Sequence, residues 1–297
     1  MKTPLTDYKI DLNAYFARLG YTGSKEPTLD TLAALQLQHQ KAISFENLDP
    51  FLNRPVLIDL PSVEHKLVFS DRGGYCYEQN LLFAHVLHRL GFVVSNLMAR
   101  VQWGSEDREI TPRSHMLLHV RLDNRPYIVD VGFGGNSIPE PMIMNRENVQ
   151  QTAYGAYRCL LIDGEYWLQL HVDGSWRSMY RFDLTRQHQV DYIAPNYYTS
   201  THDDSHFRHS IIAARIFQDG RYTLLNNRLT TRYRDGHTVQ KILGSADETQ
   251  DVLLEVFGVR VPEVAAFREK WQQLAQGWEM GARPAVREPV QVVAQGA

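Results

Sequence analysis

The hydrophobic periodicity of this chain changes character near Phe92, and that change requires an architecture with both helices and sheet. Before Phe92, apolar residues recur at helical spacing; after it, they come in short runs separated by turn residues. Asp11 to Leu19 puts Leu12, Tyr15, Phe16 and Leu19 on one helical face, and Gly20 stops it. Thr28 is placed to cap a second helix, with Asp30 in its first turn and Leu29, Leu32, Leu35 and Leu37 available for burial. A third and strongly apolar helix is expected from about Cys76 to Leu90, carrying Leu81, Leu82, Phe83, Val86 and Leu87 and ending before Gly91.

The runs that follow are Phe92 to Val101, Met116 to Leu122, Tyr127 to Val131, Tyr157 to Ile162, Tyr166 to Val172 and Trp176 to Phe182. Asp123-Asn124, Asp163-Gly164 and Asp173-Gly174 mark turns between several of them. Strands in series with tight turns predict a barrel or sandwich. After Asn196 the pattern mixes. Ile211 to Phe217 and Tyr222 to Leu225 flank Asp219-Gly220 as a hairpin, continued by Arg228 to Tyr233. Ser245 with Glu248 forms a capping box for a helix ending near Gly258, and Pro262 to Trp278 reads as a further helix. Gly281 to Ala297 reads as a loose polar tail.

Composition narrows the classes of function. A length of 297 residues suggests two domains at roughly 150 residues each, with ample chain for a core. The net charge of −3 lacks the basic footprint of a nucleic-acid binder. Two cysteines cannot frame so long a chain with disulfides. Met1 to Asp7 holds no apolar signal core, and no stretch reaches the ~18 apolar residues of a membrane span. A cytoplasmic globular protein, with neither nucleic acid nor membrane as partner, is expected.

The richest chemistry lies in Asp71-Arg72-Gly73-Gly74-Tyr75-Cys76-Tyr77-Glu78-Gln79-Asn80. Two glycines permit a sharp turn, and the apolar helix follows at once, so Cys76 stands at or near a helix N-terminus. Unpaired N–H groups there favour an anion, and the thiolate is the nucleophilic form of cysteine. The plainer alternative is a loop followed by a small buried hydrophobe. A thiolate nucleophile needs a base, and the base an orienting group. Along Ser114 to Leu122, Met116, Leu118, Val120 and Leu122 share one strand face, leaving His115, Leu117 and His119 on the other. If Leu122 pairs with Arg125 across a two-residue turn, Asp130 faces Leu117 and is a diagonal neighbour of both histidines. A loop two residues longer puts Asp130 opposite His119 and keeps it on the same face. Periodicity leaves the choice of histidine open.

Gly132-Phe133-Gly134-Gly135 follows directly, a turn that lets a ligand approach the backbone closely, or simply a turn between strands. Cys159, inside an apolar strand, reads as core. His202 and His206 stand four apart with Asp203 and Asp204 between them, but no third ligand pattern accompanies them, so no metal is expected.

These motifs resemble the arylamine N-acetyltransferases. The resemblance covers nearly the whole chain. It runs through Leu12-Asn13-Ala14-Tyr15-Phe16-Ala17-Arg18-Leu19-Gly20-Tyr21, Ile43 to Leu48, Arg72-Gly73-Gly74-Tyr75-Cys76, Arg113 to Leu118, Asp130 to Gly135, and Asn196 to Phe207. It implies an α+β fold with a papain- or transglutaminase-like cysteine core. The parts it implies are a helical bundle over residues 1–91 carrying the nucleophile, an antiparallel β-barrel over 92–196 carrying histidine and aspartate, and an interdomain segment, α/β lid and tail over 197–297. The implied triad is Cys76, His115 and Asp130, with His119 a neighbour. The implied co-substrate is acetyl-CoA, with Phe133 and Gly134 lining the cleft near the thiol and Tyr198 and Thr201 at coenzyme contacts. Arylamines, arylhydrazines and N-hydroxyarylamines are the implied acceptors, acetylated by double displacement through an acetyl-cysteine. Asp203 stands where many members have proline. The triad by itself fits a cysteine amidase or hydrolase equally well, and a binding protein with a silent thiol is the non-enzymatic alternative.

Overall fold

In the computed structural model, residues 8–105, 109–144, 149–172 and 174–279 are described. The first elements are α1 (Leu12–Leu19), α2 (Leu29–Ala42), β1 (Phe45–Glu46), α3 (Leu48–Phe51), α4 (Leu60–Phe69) and α5 (Cys76–Arg89). Local chemistry sets their ends. The Asp11 carboxylate accepts from the N–H groups of Asn13 and Ala14, and Gly20 closes α1 in the left-handed region at φ +62°. Thr28 caps α2 as the sequence predicts. The face that α2 buries differs from expectation: Leu29 is 40% exposed, while Leu32 and Leu35 share the interior with Gln36, His39 and Gln40. Helix α4 lies outside the sequence reading, although Asp59 caps it and Pro61 sits in its first turn.

The strands β2 (Val93–Val101), β3 (Arg113–Leu122), β4 (Arg125–Val129), β5 (Met142–Ile143), β6 (Gln150–Thr152), β7 (Gly155–Ile162), β8 (Glu165–Val172) and β9 (Ser175–Phe182) form one antiparallel sheet in the order β5-β4-β3-β2-β9-β8-β7-β6. Its end strand β5 returns toward β7, so the sheet is a nearly closed barrel. Leu97, Leu117, Ile128, Leu168 and Tyr180 fill the interior. Asp123 and Asn124, at φ +49° and +59°, make the mirror-image turn that suits the twist of a hairpin, and Leu122 pairs with Arg125.

The chain continues through α6 (Ile193–Thr201) and α7 (His206–His209) into a second sheet. Here β10 (Ile212–Phe217), β11 (Gly220–Leu225), β12 (Arg228–Tyr233) and β13 (Thr238–Ile242) follow β1 in the order β1-β10-β11-β12-β13. The first hairpin turns one residue earlier than expected, through Gln218 and Asp219, because Phe217 pairs with Gly220. Gly220 is already strand, and a Cβ there would lie 2.1 Å from the Arg232 carbonyl oxygen, so close approach to β12 is what requires glycine. Helices α8 (Ala246–Glu255) and α9 (Val264–Glu279) complete this part around Leu253, Phe257, Phe267 and Trp271. The expected tail at 281–297 lies outside the described residues.

Strand β3 is the wall between two parts of the core, that of the helices and that of the barrel. Met116, Leu118 and Val120 pack with the helices, Leu117 packs into the barrel, and all four are buried. Two-sided burial fixes the register, since a one-residue slip would exchange the faces. The loop before α5 is held as tightly: Gly74 N–H donates to Ser44 O at 3.3 Å, and Glu46 N–H donates to Gly74 O at 3.1 Å. A Cβ on Gly73 would lie 2.0 Å from Ser44 O. Gly73→Ala is therefore expected to cost at least about 2 kcal/mol. Gly277→Ala, in α9 with open space around its Cα, is expected to be neutral or stabilising by up to ~1 kcal/mol. Urea unfolding of the two variants beside the parent measures the contrast.

Candidate functional site

Cys76 is the first residue of α5 and is 6% exposed. The helix start is built by Glu78, whose carboxylate accepts from Tyr75 N–H at 3.0 Å. Behind it lies a buried cluster of ions. Arg72 Nη2 meets Glu46 Oε1 at 2.8 Å and Asp49 Oδ2 at 3.1 Å, while Lys66 Nζ meets Asp49 and Glu78, each at 2.6 Å. Burial pushes the Glu78 carboxyl up to about 7, against the opposing pull of Lys66. The arginine of the Arg-Gly-Gly-Tyr-Cys segment thus anchors the loop that presents the thiol.

The sequence left His115 and His119 as alternatives, and the geometry separates them. His115 Nε2 donates to Asp130 Oδ2 at 2.7 Å, with both side chains buried. His119 stands further along β3 opposite Ser95, with no hydrogen-bond partner for Nε2 among the described residues. Asp130 follows the last residue of β4, on the histidine face as the parity argument requires. Its Oδ1 accepts from Asn80 Nδ2 at 3.0 Å and from Gly132 N–H at 2.8 Å. Asn80 also donates to Met116 O at 2.8 Å and accepts from Val131 N–H at 3.1 Å, so one side chain ties α5 to β3 and to the Asp130 segment. A Cβ on Gly132 would sit 2.7 Å from Cys76 Cα. Glycine at that position lets the strand end lie against the start of α5.

Burial alone would lower the His115 imidazole. The charge and hydrogen bond of Asp130, with a contribution from Cys76, outweigh it and push His115 up to about 10. A thiol facing an imidazolium is the pairing from which a thiolate is drawn. Cys76 Sγ also lies 3.8 Å from Ser114 O, which accepts from Tyr77 Oη at 2.9 Å. The rings of Phe133 and Tyr180 stand 5.1 Å and 5.0 Å from that of His115. Burial, and next the charge of Asp130, hold the Tyr180 hydroxyl far above its usual range.

The other expected residues are less concentrated. Gly134, at φ +81°, faces the Phe45 ring. Tyr198 and Thr201 lie on α6, with Tyr198 43% exposed and stacked on His202 at 4.4 Å. Helix α6 reaches the site through Asn196, whose Oδ1 accepts from Tyr75 Oη. Asp203 pairs with Arg208. Cys159 is buried and its thiol is pushed up to about 12 by burial, as suits core. Asn80 and Tyr180 were missed at the sequence level. Only Asn80 left a signal there, as a polar residue one turn beyond Cys76 in the Asp71–Asn80 segment already singled out.

A buried thiol, a buried histidine and the carboxylate paired with that histidine thus stand together where a helix meets a barrel. The sequence matches the N-acetyltransferase family over residues 28–266. It is 43% identical over 254 residues to an arylamine N-acetyltransferase of Escherichia coli, covering 85% of this chain and 90% of that one. An arylamine N-acetyltransferase / N-hydroxyarylamine O-acetyltransferase of Salmonella typhimurium is 39% identical, with 85% and 90% covered. The solved arylamine N-acetyltransferase of Mycobacterium marinum in complex with CoA superposes with a TM-score of 0.85 at 35% identity, covering 89% of this chain and 99% of that one. The chain belongs to the arylamine N-acetyltransferase family and is an acyltransferase. No helix among the described residues is long and apolar enough to cross a membrane.

The raised His115 value gives a direct check. A histidine in an unfolded chain titrates near ~6.5. The folded value lies above that, so the charge on His115 contributes stability that is complete below pH ~6.5 and lost as pH rises through about 10. In a pH titration followed by NMR, the His115 ring, assigned against His115→Gln, is expected to remain imidazolium at pH 8 and to titrate near pH 10. A midpoint near 6.5 would contradict the ion-pair geometry.

Proposed function

We propose that this enzyme transfers the acetyl group of acetyl-CoA to the nitrogen of arylamines and arylhydrazines, and to N-hydroxyarylamines, by double displacement through Cys76. The observation that carries the reading is the buried Cys76–His115–Asp130 contact in a chain of this family. The Cys76 thiolate attacks the thioester carbonyl, the bond from that carbonyl to the coenzyme sulfur breaks, and His115 gives its proton to the departing thiolate. The acetyl group is then held as a thioester on Cys76, with His115 neutral. An amine attacks that carbonyl, His115 takes its proton, and Cys76 leaves as thiolate, restoring the ion pair. Asp130 holds the imidazole in place and favours its cation in both halves.

The residues near the thiol fit an acyl-CoA donor. Gly134, at φ +81°, lies against the Phe45 ring and follows Phe133 directly, so an apolar wall stands on this side of the thiol. Phe133 offers an apolar surface beside His115. Tyr198 and Thr201 on α6 are our candidates for contacts to the rest of the coenzyme, and we assign no metal. We read residues 1–91 as the bundle that supplies the nucleophile, 92–196 as the barrel that supplies histidine and aspartate, and 197–297 as the segment that covers them. The unpaired thiols of Cys76 and Cys159 suit a reducing compartment, and the cytoplasm is the expected location.

Intact mass spectrometry after mixing with acetyl-CoA, without amine, tests this reading. The parent protein is expected to gain one acetyl group and Cys76→Ala none, and added arylamine is expected to discharge the adduct. Absence of both adduct and coenzyme A release would sink the acetyltransferase reading. Discharge by water at the rate seen with amine would point to a hydrolase instead.

A further inference from the structure

Arg221 belongs to β11 in the second sheet, yet both of its side-chain hydrogen bonds cross to the barrel part of the chain. One terminal nitrogen donates to Gly135 O at 2.9 Å, and the other donates to the Tyr157 hydroxyl at 2.6 Å. Tyr157 Oη donates onward to Ser137 O at 3.4 Å, and Ser137 N–H donates to Gly134 O at 3.1 Å. The bonds form a chain around the turn that follows Phe133. The arginine is 6% exposed. A guanidinium so buried ordinarily meets a carboxylate. Here its partners among the described residues are a carbonyl, a phenol and the Tyr154 ring at 5.5 Å, all neutral. Such a placement costs desolvation, and no carboxylate among the described residues bonds the guanidinium to offset it. What it provides is a planar fork that holds two groups at once, which no other side chain supplies in that shape.

The turn needs that hold. Gly134 takes a left-handed conformation, and a Cβ on Gly135 would lie 2.6 Å from the Thr223 methyl of β11, so the turn already touches the second sheet. A small cavity borders it, lined by Gln40, Phe45, Val131, Gly134, Ser137 and Arg221. At the near end of the same turn, Phe133 stands edge-on to His115.

We propose that Arg221 is a positioning residue for acetyl transfer: its fork holds the Gly134–Gly135 turn, and through it Phe133, where the acyl donor must lie against Cys76 and His115. The inference rests on the acetyltransferase reading above. It makes a separation that a general structural role would not, because the Cys76, His115 and Asp130 contacts do not pass through Arg221.

Arg221→Lys keeps the charge but replaces the planar fork, whose two terminal nitrogens reach Gly135 and Tyr157 separately, with a single nitrogen on a flexible stem. It is expected to lower kcat/KM for acetyl-CoA by about tenfold to a hundredfold, the scale of a small misplacement near the reacting atoms. The rate of Cys76 alkylation by iodoacetamide, and its pH profile, are expected to match the parent. Tyr157→Phe removes one arm of the fork and is expected to give a smaller loss in the same direction; it carries the comparison if the lysine variant does not fold. Acetylation by both variants within about twofold of the parent would overturn the proposal, and so would alkylation falling in parallel with acetylation. A parent protein that alkylates but never acetylates would overturn the underlying reading instead, and the two failures are therefore distinguishable.

Discussion

The hydrogen bond between His115 Nε2 and Asp130 Oδ2, 2.7 Å long and closed off from solvent, requires that three distant pieces of chain meet without slack. A carboxylate taken out of water must have its oxygens satisfied, and removing one partner from a buried pair costs about 3–5 kcal/mol. Asp130 meets that demand with His115 from β3, Asn80 from α5 and the backbone of its own turn at Gly132. Helix α5, the barrel wall and the glycine turn are therefore fixed by the same side chain. Glycine at 132 follows from this, since any Cβ would drive the turn away from Cys76.

A second set of buried charges does for the thiol what Asp130 does for the imidazole. Glu46, Asp49 and Glu78 gather around Lys66 and Arg72 beneath the start of α5. They are contributed by β1, α3, α4, α5 and the loop before it, so the position of Cys76 is set in part by elements, α3 and α4 among them, that lie behind the start of its helix. A chain of neutral polar groups runs alongside: Tyr15 Oη donates to His39 Nδ1 at 2.8 Å, His39 Nε2 donates to Gln79 Oε1 at 2.6 Å, and Gln79 Nε2 donates to Ser44 O at 2.8 Å. Burial lowers His39 to about 4, which keeps it neutral in this chain. The interior of the helical half is thus specified by polar pairing as well as by apolar packing.

Local signals in the sequence carried far. Asp123-Asn124 determines its own turn, and the two-residue period then dictates that Asp130 lies on the histidine side of β3. The same period could not select His115 over His119, because both satisfy it; the choice depends on which end of β3 meets α5. The burial of Gln36, His39 and Gln40 was hidden for a related reason. Their partners, among them Ile138 O and Gln79, come from elsewhere in the chain, and an apolar tally favours Leu29 and Leu37 instead. Strand β1 has two residues and gains its meaning only from β10, more than a hundred and fifty positions later in the chain. Arg221 left no trace at all, since nothing near it in sequence tells that its fork reaches across to Gly135. What stayed illegible was in each case a contact between remote segments.

Steady-state kinetics address the central claim, that one thiol receives the acetyl group before the acceptor takes it. Initial rates would be measured over a grid of acetyl-CoA and arylamine concentrations. An acetyl-enzyme formed on Cys76 and released by amine predicts parallel double-reciprocal lines, since the two substrates never need to be bound together. Lines that intersect to the left of the axis would mean that donor and acceptor react within one ternary complex. That result would contradict a stepwise transfer through Cys76 with His115 and Asp130 in the roles assigned to them.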